Sequence, residues 1–455
     1  MISVSGMRGH VGTDLTPELV TRHAAALGAW VRVAAGRTAG ARPSVVLGRD
    51  ARTSGPMFAR AAAAGLMSVG VDVIDVGVVP TPTVQLAVEH HHAGAGLILT
   101  ASHNPIEWNA LKFVGPDGIF LDAESGARVR ALAEDGPPRM GWDGLGEVRQ
   151  DDEAVTRHLD AVLALPVIDV TAIRRRGFEV ALDCVRGAGA VAMLPLLDRL
   201  GCTVKGINLA PDGRFPRPPE PVPENLGELG RLVRDSGADI GLAVDPDVDR
   251  LALVDETGRA IGEDYTLAFA VRSVLRGRSN AAAPPTVVVN LSTSLVVEDA
   301  ARAEGARFLR APVGEANVAR AIREAGAVIG GEGNGGVMYP ALHIGRDAPL
   351  GVALILHLLA TTRSTVSEQV AGSPTYTIVK AKGPRGPELR PLYDRLRRRF
   401  ADAEADERDG LRLAWADRWL HIRPSGTEPI VRLIAEAPSP TEAEALVAAG
   451  RELLH

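Results

Sequence analysis

Cysteine, aromatic residues and long apolar runs are all scarce in this chain of 455 residues. Its two cysteines, Cys184 and Cys202, form no CxxC pair and cannot build a disulfide framework, which favours a reducing compartment. Aromatic residues make up only 4%, so the core must consist mainly of Ala, Val, Leu and Ile. The most apolar stretch, residues 349–360, is too short to span a bilayer, and the N-terminus lacks the basic and apolar regions of a signal peptide. We therefore expect a cytoplasmic protein that has no membrane partner.

The chain also lacks the basic excess that is typical of nucleic-acid-binding proteins. It has 50 Lys and Arg residues against 56 Asp and Glu residues, a net charge of −6. This balance predicts that the protein has no nucleic-acid partner. Hydrophobic residues (46%) and charged residues (23%) occur at the levels of an ordinary globular protein, which excludes a disordered or fibrous chain. Glycine (49) and proline (31) are abundant and predict many tight turns.

Three segments of the chain repeat one order of elements, in which apolar strands alternate with helical patterns. They cover residues 45–99, 178–244 and 286–329, and in each of them the last strand runs directly into a polar loop. Strands separated by helices predict parallel sheets. Ligands of open α/β sheets bind beyond the carboxyl ends of the strands, so we expect the three loops to converge on one cleft.

The last part of the chain follows a different order: strand, helix, strand, loop, strand and helix. This order predicts a small α+β domain. The fold class is therefore expected to be α/β, with three similar βαβ-repeat domains of mainly parallel sheets and a C-terminal α+β domain around a central cleft. The predicted domains are residues 1–150, 151–256, 257–371 and 372–455, and the Pro-rich residues 211–223 are interpreted as a surface excursion of the second domain.

Three aspartates directly after an apolar strand form the strongest candidate for a metal site. Asp245, Asp247 and Asp249 alternate in sequence, so an extended segment places their carboxylates on one side. Hard divalent cations such as Mg²⁺ prefer oxygen ligands of this kind. The segment lacks the glycine of an EF-hand loop and follows a strand instead of a helix. The alternative is a solvated acidic turn, but the end of a sheet strand is a ligand-binding position, which favours the metal site.

Ser102 is a candidate nucleophile because it follows the last apolar strand of the first repeat, beside His103, Asn104 and Pro105. A hydroxyl in such a loop can attack a substrate or carry a transferred group, and His103 could assist it. A serine in this position is, however, more often a helix-capping or turn residue. The residues by themselves therefore leave both interpretations open.

A polar loop in the C-terminal domain has the composition of a phosphate site. Arg423, Ser425, Gly426 and Thr427 combine a guanidinium, two hydroxyls and a glycine that allows backbone amides to approach an anion. Arg432 follows shortly afterwards and could add a second positive charge. The alternative is a hairpin turn that is capped by serine and threonine.

Two further sets of residues have both a functional and a structural interpretation. Glu332 and Asn334 lie among five glycines between residues 330 and 336, and they offer acceptors and donors that suit vicinal sugar hydroxyls. A plain glycine-rich turn is the alternative. Arg8 and Lys112 could face an anion or could be ordinary surface cations.

Four motifs follow one another along the chain. They are Thr-Ala-Ser-His-Asn-Pro at residues 100–105, Asp-Pro-Asp-Val-Asp-Arg at 245–250, Gly-Glu-Gly-Asn-Gly-Gly at 331–336 and Arg-Pro-Ser-Gly-Thr-Glu-Pro at 423–429. Together they closely resemble the α-D-phosphohexomutase family, which includes phosphoglucomutases, phosphomannomutases and phosphoglucosamine mutases. The resemblance covers essentially the whole chain. It implies four domains around a central cleft, three of them similar α/β units, in agreement with the repeats.

The resemblance also implies a centre for phosphoryl transfer. Ser102 would be carried as phosphoserine and, together with the three aspartates, would hold one Mg²⁺ per subunit. Arg8 and Lys112 match basic residues that face the transferred phosphoryl group, and Arg250 and His103 would line the same centre. Either Lys112 or His103 would take the proton of the attacking hydroxyl.

The reaction implied by the resemblance is an isomerisation. Phosphoserine would donate its phosphoryl group to a hexose phosphate, a hexose bisphosphate would form and turn around in the cleft, and its other phosphoryl group would return to the serine. Glu332 and Asn334 match the family's sugar-binding loop. The phosphate that does not react would be bound by Arg423, Ser425, Gly426 and Thr427, with Arg432 beside them. Hexose phosphates and bisphosphates are thus the expected partners, and the expected oligomeric state is monomer or homodimer.

Two departures from the family pattern bear on the sugar. Many glucose and mannose mutases have Gly-Glu-Met-Ser-Gly-His in the sugar loop, whereas this chain has Asn334 in place of the serine and Gly336 in place of the histidine. This form resembles mutases of phosphoglucosamine or of mixed hexose phosphates. The expected activity is therefore conversion of glucosamine 6-phosphate to glucosamine 1-phosphate. Alternatives are a phosphomannomutase or phosphoglucomutase, a non-catalytic sugar-phosphate-binding relative, and a phosphatase that uses Asp245 as its nucleophile.

Overall fold

The computed structural model describes residues 2–3, 6–35, 42–276, 278, 283–385, 388–425 and 430–454. This part of the chain forms four β-sheets and the helices that cover them. The strands of this part are β1 (Ile2–Ser3), β2 (Gly6–His10), β3 (Ser44–Arg49), β4 (Asp72–Val78), β5 (Ala95–Leu99), β6 (Trp108–Val114), β7 (Val148–Gln150), β8 (Glu179–Asp183), β9 (Thr203–Ile207), β10 (Ile240–Val244), β11 (Leu251–Val254), β12 (Thr286–Asn290), β13 (Arg307–Ala311), β14 (Ile329–Glu332), β15 (Gly336–Met338), β16 (Thr377–Pro384), β17 (Glu404–Asp406), β18 (Leu411–Ala414), β19 (Trp419–Pro424) and β20 (Ile430–Ala437). Its α-helices are α1 (Pro17–Ala35), α2 (Gly55–Met67), α3 (Thr81–His90), α4 (Ala123–Asp135), α5 (Ala154–Leu163), α6 (Val170–Arg176), α7 (Gly189–Arg199), α8 (Gly227–Ser236), α9 (Asp264–Arg276), α10 (Leu295–Ala303), α11 (Glu315–Ala325), α12 (Ala348–Thr362), α13 (Val366–Ala371), α14 (Arg390–Arg399) and α15 (Pro440–Glu452).

Each of the first three sheets has a parallel centre. The parallel neighbours are β5, β3, β4 and β7 in the first sheet, β10, β8 and β9 in the second, and β13, β12 and β14 in the third. The fourth sheet, in the order β16-β20-β19-β18-β17, is antiparallel throughout. The predicted α/β class with a C-terminal α+β domain is therefore confirmed.

An antiparallel strand follows each of the three polar loops, which the sequence patterns did not predict. The chain returns through β6 beside β5, through β11 beside β10 and through β15 beside β14. A parallel neighbour needs a crossover of roughly a dozen or more residues, and these loops, residues 100–107, 245–250 and 333–335, are too short for one. Each loop is thus held at both ends by hydrogen-bonded strands, which fixes its position at the sheet edge.

The glycine-rich loop of the third domain is shorter than its composition indicates. Residues 330–332 belong to β14 and Gly336 begins β15, so the turn consists of residues 333–335. Gly331 has a φ of +156°, and a Cβ atom there would lie 2.1 Å from the carbonyl oxygen of Gly336. The glycine therefore allows the two strands to approach closely, and Glu332 is the last strand residue before the turn.

One apolar core extends across the second and third sheets and includes Phe178, Leu242 and Val289. Helix α12 contains the most apolar stretch of the sequence, and its residues from Ala348 to Leu356 are buried. The helix packs into this shared core, so the apolar run serves packing. Within the described ranges, no helix combines the length and the apolar character that a membrane crossing requires.

The C-terminal sheet has a core of its own and meets the third domain through polar contacts. Leu396 and Leu433 belong to that separate core. At the contact, Glu436 on β20 accepts hydrogen bonds from the hydroxyl of Ser294 and, at 2.8 Å, from the backbone N–H of Leu295 at the start of α10. Polar interfaces of this kind are typical of domains that move relative to one another.

A partly buried carboxyl group near this interface makes stability depend on pH. Asp264 begins α9 and accepts a hydrogen bond from the backbone N–H of Ser294 at 2.9 Å, and its burial raises its pKa well above the usual range. The folded protein therefore takes up this proton at a higher pH than the unfolded chain does. It follows that the contribution of this group to stability is largest at low pH and is lost as pH rises through the folded pKa.

We expect Asp264→Asn to be more stable than the wild type at pH 8 by about 1 kcal/mol or more, because the amide keeps an acceptor but cannot ionise. At pH 4 the two proteins should differ less, since the wild-type carboxyl group is then protonated. Urea unfolding at both pH values measures the difference. Asp198→Asn, at an exposed position of α7, is the control. A stability gain that is equal at both pH values would contradict the assignment.

Candidate active site

Ser102 lies in the loop between β5 and β6 and has an unusual backbone conformation. Its φ of +48° is in the left-handed region that residues other than glycine rarely adopt. Two contacts hold it there. Its backbone N–H donates to Oγ1 of Thr100 at 2.9 Å, and its carbonyl oxygen accepts from Nη2 of Arg52 at 2.6 Å. The loop thus presents the serine in one fixed orientation.

Arg52, which the sequence motifs did not single out, holds the whole serine loop in place. It is fully buried, and its Nε donates to Oδ2 of Asp50 at 3.0 Å. Its two Nη atoms donate at 2.6 to 2.9 Å to the backbone carbonyl oxygens of Ser102, Asn104, Pro105 and Trp108. The sequence signal that could have identified it is the oppositely charged pair Asp50 and Arg52 directly after β3. Strand β3 is parallel to β5 and ends at the same edge of the sheet.

We expect Arg52→Met to destabilise the fold by about 3–5 kcal/mol, because the carboxylate of Asp50 loses its partner while it stays buried. The folded fraction should also lose at least about 100-fold in specific activity, since the serine loop loses its donors. Urea unfolding and the specific activity of the folded protein measure the two effects. Arg60→Met, at an exposed position of α2, should change neither. Full specific activity in Arg52→Met would contradict a positioning role.

The three aspartates form a buried cluster beside Ser102. Asp245, Asp247 and Asp249 are each 0% exposed, and one carboxylate oxygen of each lies within 4.8 Å of the others. Oδ2 of Asp245 accepts a hydrogen bond from Oγ of Ser102 at 2.8 Å. Oδ1 of Asp247 and Oδ1 of Asp249 are buried and accept no hydrogen bond within the described part of the chain. Buried carboxylate oxygens without a donor are costly unless a cation binds them, so this cluster fits a divalent metal ion.

The electrostatic environment differs among these aspartates. Burial and the charges of Asp247 and Asp249 raise the pKa of Asp245. Burial would also raise the pKa of Asp247, but Nζ of Lys112 at 2.7 Å and Oγ1 of Thr81 at 2.8 Å hold this pKa well below its usual range. Asp247 therefore stays ionised, and it joins the second domain to two elements of the first, β6 and α3.

Two arginines flank the serine loop and determine the charge state of the histidine beside it. Nη1 of Arg8, on β2, donates to Oδ1 of Asn104 at 2.7 Å. The charge of Arg250, followed by burial, lowers the pKa of His103 well below its usual range. His103 is therefore neutral at pH 7, and its Nδ1 lies 3.4 Å from Oγ of Ser102.

The Pro-rich segment of the second domain reaches the site, although its composition indicated only a surface excursion. Its Glu220 places Oε1 3.2 Å from Nη1 of Arg250 and 4.0 Å from Nε2 of His103. The ring of Phe215 from the same segment lies 4.9 Å from the guanidinium carbon of Arg52. Sequence reasoning missed both residues, because a Pro-rich composition does not show what the segment contacts.

Glu332 and Asn334 lie at the hairpin of the third sheet and offer acceptors to a ligand. Oε1 of Glu332 accepts from Nδ2 of Asn290 at 2.8 Å and from the backbone N–H of Gly314 at 3.1 Å. Its Oε2 lies 3.3 Å from Nη1 of Arg346. Asn334 lines the central cleft, and its buried Oδ1 accepts no hydrogen bond from the described residues.

Strands β19 and β20 carry the two arginines of the predicted phosphate site. Arg423 and Arg432 are register partners on these antiparallel strands, so their side chains lie on one face of the sheet. Arg432 lines the cleft, and Nε of Arg423 donates to Oδ2 of Asp409 at 2.9 Å. Ser425 is buried directly after β19. The remaining predicted members of this site, Gly426 and Thr427, lie outside the described residues.

One cleft of about 560 Å³ brings together residues from all four domains. Its volume is in the range of small-molecule binding sites. The predicted site residues that line it are Arg8, Ser102, His103, Lys112, Arg250, Glu332, Asn334 and Arg432. The three aspartates lie directly behind this lining, in contact with the serine and the lysine. The polar loops therefore converge on one cleft, as expected from the repeats.

Comparison with protein families gives four matches in chain order, all to phosphoglucomutase/phosphomannomutase domains. Alpha/beta/alpha domain I matches residues 2–139, domain II residues 156–258, domain III residues 262–376 and the C-terminal domain residues 381–453. Their number and order agree with the four sheets.

Two curated proteins and one solved structure are similar over almost the whole length. A probable phosphoglucosamine mutase of Methanopyrus kandleri is 38% identical over 446 residues, which cover 97% of this chain and 95% of that protein. A phosphoglucomutase/phosphomannomutase of Thermococcus kodakarensis is 38% identical over 456 residues, with 99% and 97% covered. The crystal structure of a phosphoglucomutase/phosphomannomutase family protein from Burkholderia thailandensis matches with a TM-score of 0.85 at 27% identity and covers 100% of this chain and 98% of that chain.

Proposed function

The chain belongs to the α-D-phosphohexomutase family and is an isomerase, and we propose that it interconverts hexose 6-phosphates and hexose 1-phosphates through a phosphoserine at Ser102. The observation that carries this proposal is the hydrogen bond of 2.8 Å between Oγ of Ser102 and Oδ2 of Asp245. It joins the nucleophile of the first domain to the acidic cluster of the second, at the wall of a cleft that suits a hexose bisphosphate.

The proposed reaction consists of two phosphoryl transfers. In the first, a hydroxyl oxygen of the bound hexose phosphate attacks the phosphorus of the phosphoserine, and the bond between phosphorus and Oγ of Ser102 breaks. The attacking hydroxyl loses its proton, and Oγ regains one, so a hexose bisphosphate and a free serine result. The bisphosphate turns around, and Oγ loses its proton and attacks the phosphorus of the other phosphoryl group. The bond between this phosphorus and the sugar oxygen breaks, and the sugar oxygen takes up a proton. The isomeric monophosphate is released, the phosphoserine is restored, and no phosphate is lost to water.

The side chains of the cleft suit this transfer. Arg8, Lys112 and Arg250 would offset negative charge on the transferred group, which is the main requirement for catalysis of phosphoryl transfer. Mg²⁺, when bound by the phosphoserine and the three aspartates, would supply further charge neutralisation at the phosphoryl oxygens. Nδ1 of His103 lies 3.4 Å from Oγ of Ser102, and Nζ of Lys112 lies 2.7 Å from Oδ2 of Asp247 at the same cleft. The hydroxyl proton would pass to one of these two nitrogens.

The C-terminal domain would bind the phosphate that is not reacting. Arg432 lines the cleft, and Arg423 is its register partner on the neighbouring strand, so the two side chains lie on one face of the sheet. Ser425, Gly426 and Thr427 would complete this site in the proposed function. The polar contacts between this domain and the third domain are of the kind that permits domain movement, and in the proposed function such movement would accommodate either orientation of the sugar.

We assign glucosamine phosphate as the preferred substrate. The two curated relatives have different sugars in their names at the same identity of 38%, so the assignment depends on the cleft. Oδ1 of Asn334 is a buried acceptor without a hydrogen-bond donor among the described residues. The ammonium group of glucosamine is a donor only and would satisfy this atom, whereas a sugar hydroxyl gains less because it carries no charge.

A substrate panel tests both parts of the proposal. The phosphorylated protein is assayed with Mg²⁺ on glucosamine 6-phosphate, glucose 1-phosphate and mannose 1-phosphate. We expect kcat/KM for glucosamine 6-phosphate to exceed the other values by at least tenfold, or about 1.4 kcal/mol at the transition state. If no sugar is isomerised, the proposed activity fails. If glucose or mannose phosphate is preferred by tenfold, the activity stands and the sugar assignment is wrong.

A further inference from the structure

Arg346, in the segment between β15 and α12, contacts three carboxylates and has no role in the reaction described above. It lines the cleft and is 8% exposed. Its Nη2 donates to Oδ2 of Asp249 at 2.6 Å, its Nε donates to Oε2 of Glu315 at 3.0 Å, and its Nη1 lies 3.3 Å from Oε2 of Glu332. One guanidinium thus connects the acidic cluster of the second domain to the sugar loop of the third.

The side chain of Arg346 occupies space that only a glycine at position 336 leaves open. A Cβ atom on Gly336 would lie 2.3 Å from Cδ and 2.7 Å from Cγ of Arg346. Distances this short require the arginine stem, which carries the guanidinium, to move when any side chain is present at position 336. Gly336 and the buried position of Arg346 are therefore two parts of one feature.

Arg346 also determines which oxygen of Glu332 is left for a ligand. An ionised carboxylate accepts about four hydrogen bonds. Oε1 of Glu332 already accepts from Asn290 and Gly314, so its capacity is used. Oε2 faces Arg346 and keeps room for one more donor. Glu315 accepts a hydrogen bond from Nε of Arg346, which fixes the plane of the guanidinium. The fixed guanidinium in turn determines the direction in which Oε2 of Glu332 can accept a hydrogen bond from a ligand.

We propose that Arg346 is a positioning residue that aligns the sugar with the metal site. It holds the sugar-binding Glu332 at a set distance from Asp249, so that a hexose bound through this carboxylate lies in register with the phosphoryl group to be transferred. The inference rests on the proposed function, because it takes the ligand of Glu332 to be the sugar of a hexose phosphate. Lysine cannot replace the arginine, since a single ammonium cannot span three carboxylates in a fixed plane.

Binding measurements on four variants test this role without relying on activity. The ligand is whichever of glucosamine 6-phosphate and glucose 6-phosphate the wild type binds more tightly, and Kd is measured by calorimetry with Mg²⁺ on dephosphorylated protein, which cannot turn the ligand over. We expect Kd to rise at least tenfold in Arg346→Lys and in Gly336→Ala. In the Arg346→Ala background, adding Gly336→Ala should change Kd less than twofold, because Cγ and Cδ, the two atoms that the new Cβ would meet most closely, are gone and only Cβ of residue 346, at 3.2 Å, remains.

The control is Arg272→Lys. Arg272 is also a buried arginine, but it donates its hydrogen bonds to Gln369 and Ser373 and does not line the cleft. Its Kd should equal that of the wild type. A Kd within twofold of the wild type in Arg346→Lys, or an equal effect of Gly336→Ala in both backgrounds, overturns the inference. If the wild type binds and isomerises hexose phosphates while these variants bind equally well, only this inference fails. If the wild type does neither, the proposed function has failed with it.

Discussion

We expect Ser102→Ala to abolish isomerisation of every hexose phosphate, with kcat lower by at least about 10⁴-fold, because the variant would have no oxygen to carry the phosphoryl group. In the wild type, Oγ of Ser102 donates to Asp245, and the backbone of the loop is held by Arg52. We therefore expect that no neighbouring hydroxyl can take the place of Oγ. Intact-mass spectrometry should show that a wild-type fraction is heavier by one phosphoryl group and that the variant lacks this fraction. Isomer ratios after incubation with Mg²⁺ measure the activity.

Ser68→Ala is the matched control for this substitution. Ser68 is the C-cap residue directly after α2, and its hydroxyl donates to the carbonyl oxygen of Gly65 at 2.6 Å, so it has an ordinary helix-end role. The control should keep the activity and the heavier mass fraction of the wild type. A phosphorylated fraction in Ser102→Ala, together with substantial turnover, would show that a different residue carries the phosphoryl group.

Asp247→Asn should weaken Mg²⁺ binding at least tenfold and lower kcat by at least about 100-fold. Asparagine keeps the size of the side chain but removes the charge that pairs with Lys112 and the negative oxygen that has no donor of its own. Calorimetric titration with MgCl₂ measures the affinity, and turnover at saturating Mg²⁺ separates weak binding from lost catalysis. Removal of the metal from the wild type by a chelator should likewise stop turnover.

The control for the metal prediction is Asp198→Asn, at an exposed position in the same domain. It removes the same charge outside the cleft and should leave the Mg²⁺ affinity unchanged. If Asp247→Asn bound Mg²⁺ as tightly as the wild type, the acidic cluster would not be the metal site.

The sheets and the convergence of the loops could be predicted from sequence because both follow from local patterns. Apolar strands alternate with helices, and parallel strands end at one edge, so the polar residues after β5, β10 and β14 are expected to meet. The alternation of Asp245, Asp247 and Asp249 similarly indicates a cluster, since the spacing alone places three carboxylates together. In each case, neighbouring residues of the sequence determine both the type of functional group and its place at the end of a strand.

Other parts of the site depend on contacts between distant segments, which a single sequence does not display. Arg52 donates hydrogen bonds to carbonyl oxygens about 50 residues away in the sequence, and Arg346 contacts carboxylates of two domains. Neither belongs to a motif, and buried arginines look like surface arginines in a sequence. Glu220 was missed for the same reason. The antiparallel return of β6 follows from the shortness of the loop before it, a geometric constraint that the alternation of strands and helices does not display.

A single-turnover experiment on the phosphorylated protein tests transfer from serine to sugar most directly. The protein is mixed with an equal amount of glucosamine 6-phosphate and Mg²⁺, and phosphorus NMR and intact-mass spectrometry follow the products. We expect the loss of phosphoserine to be matched one for one by the formation of a hexose bisphosphate, with no inorganic phosphate. Release of inorganic phosphate in place of bisphosphate, as a phosphatase would give, would contradict the mutase mechanism. So would a phosphoserine that persists with glucosamine 6-phosphate and also when glucose 1-phosphate or mannose 1-phosphate is used in its place.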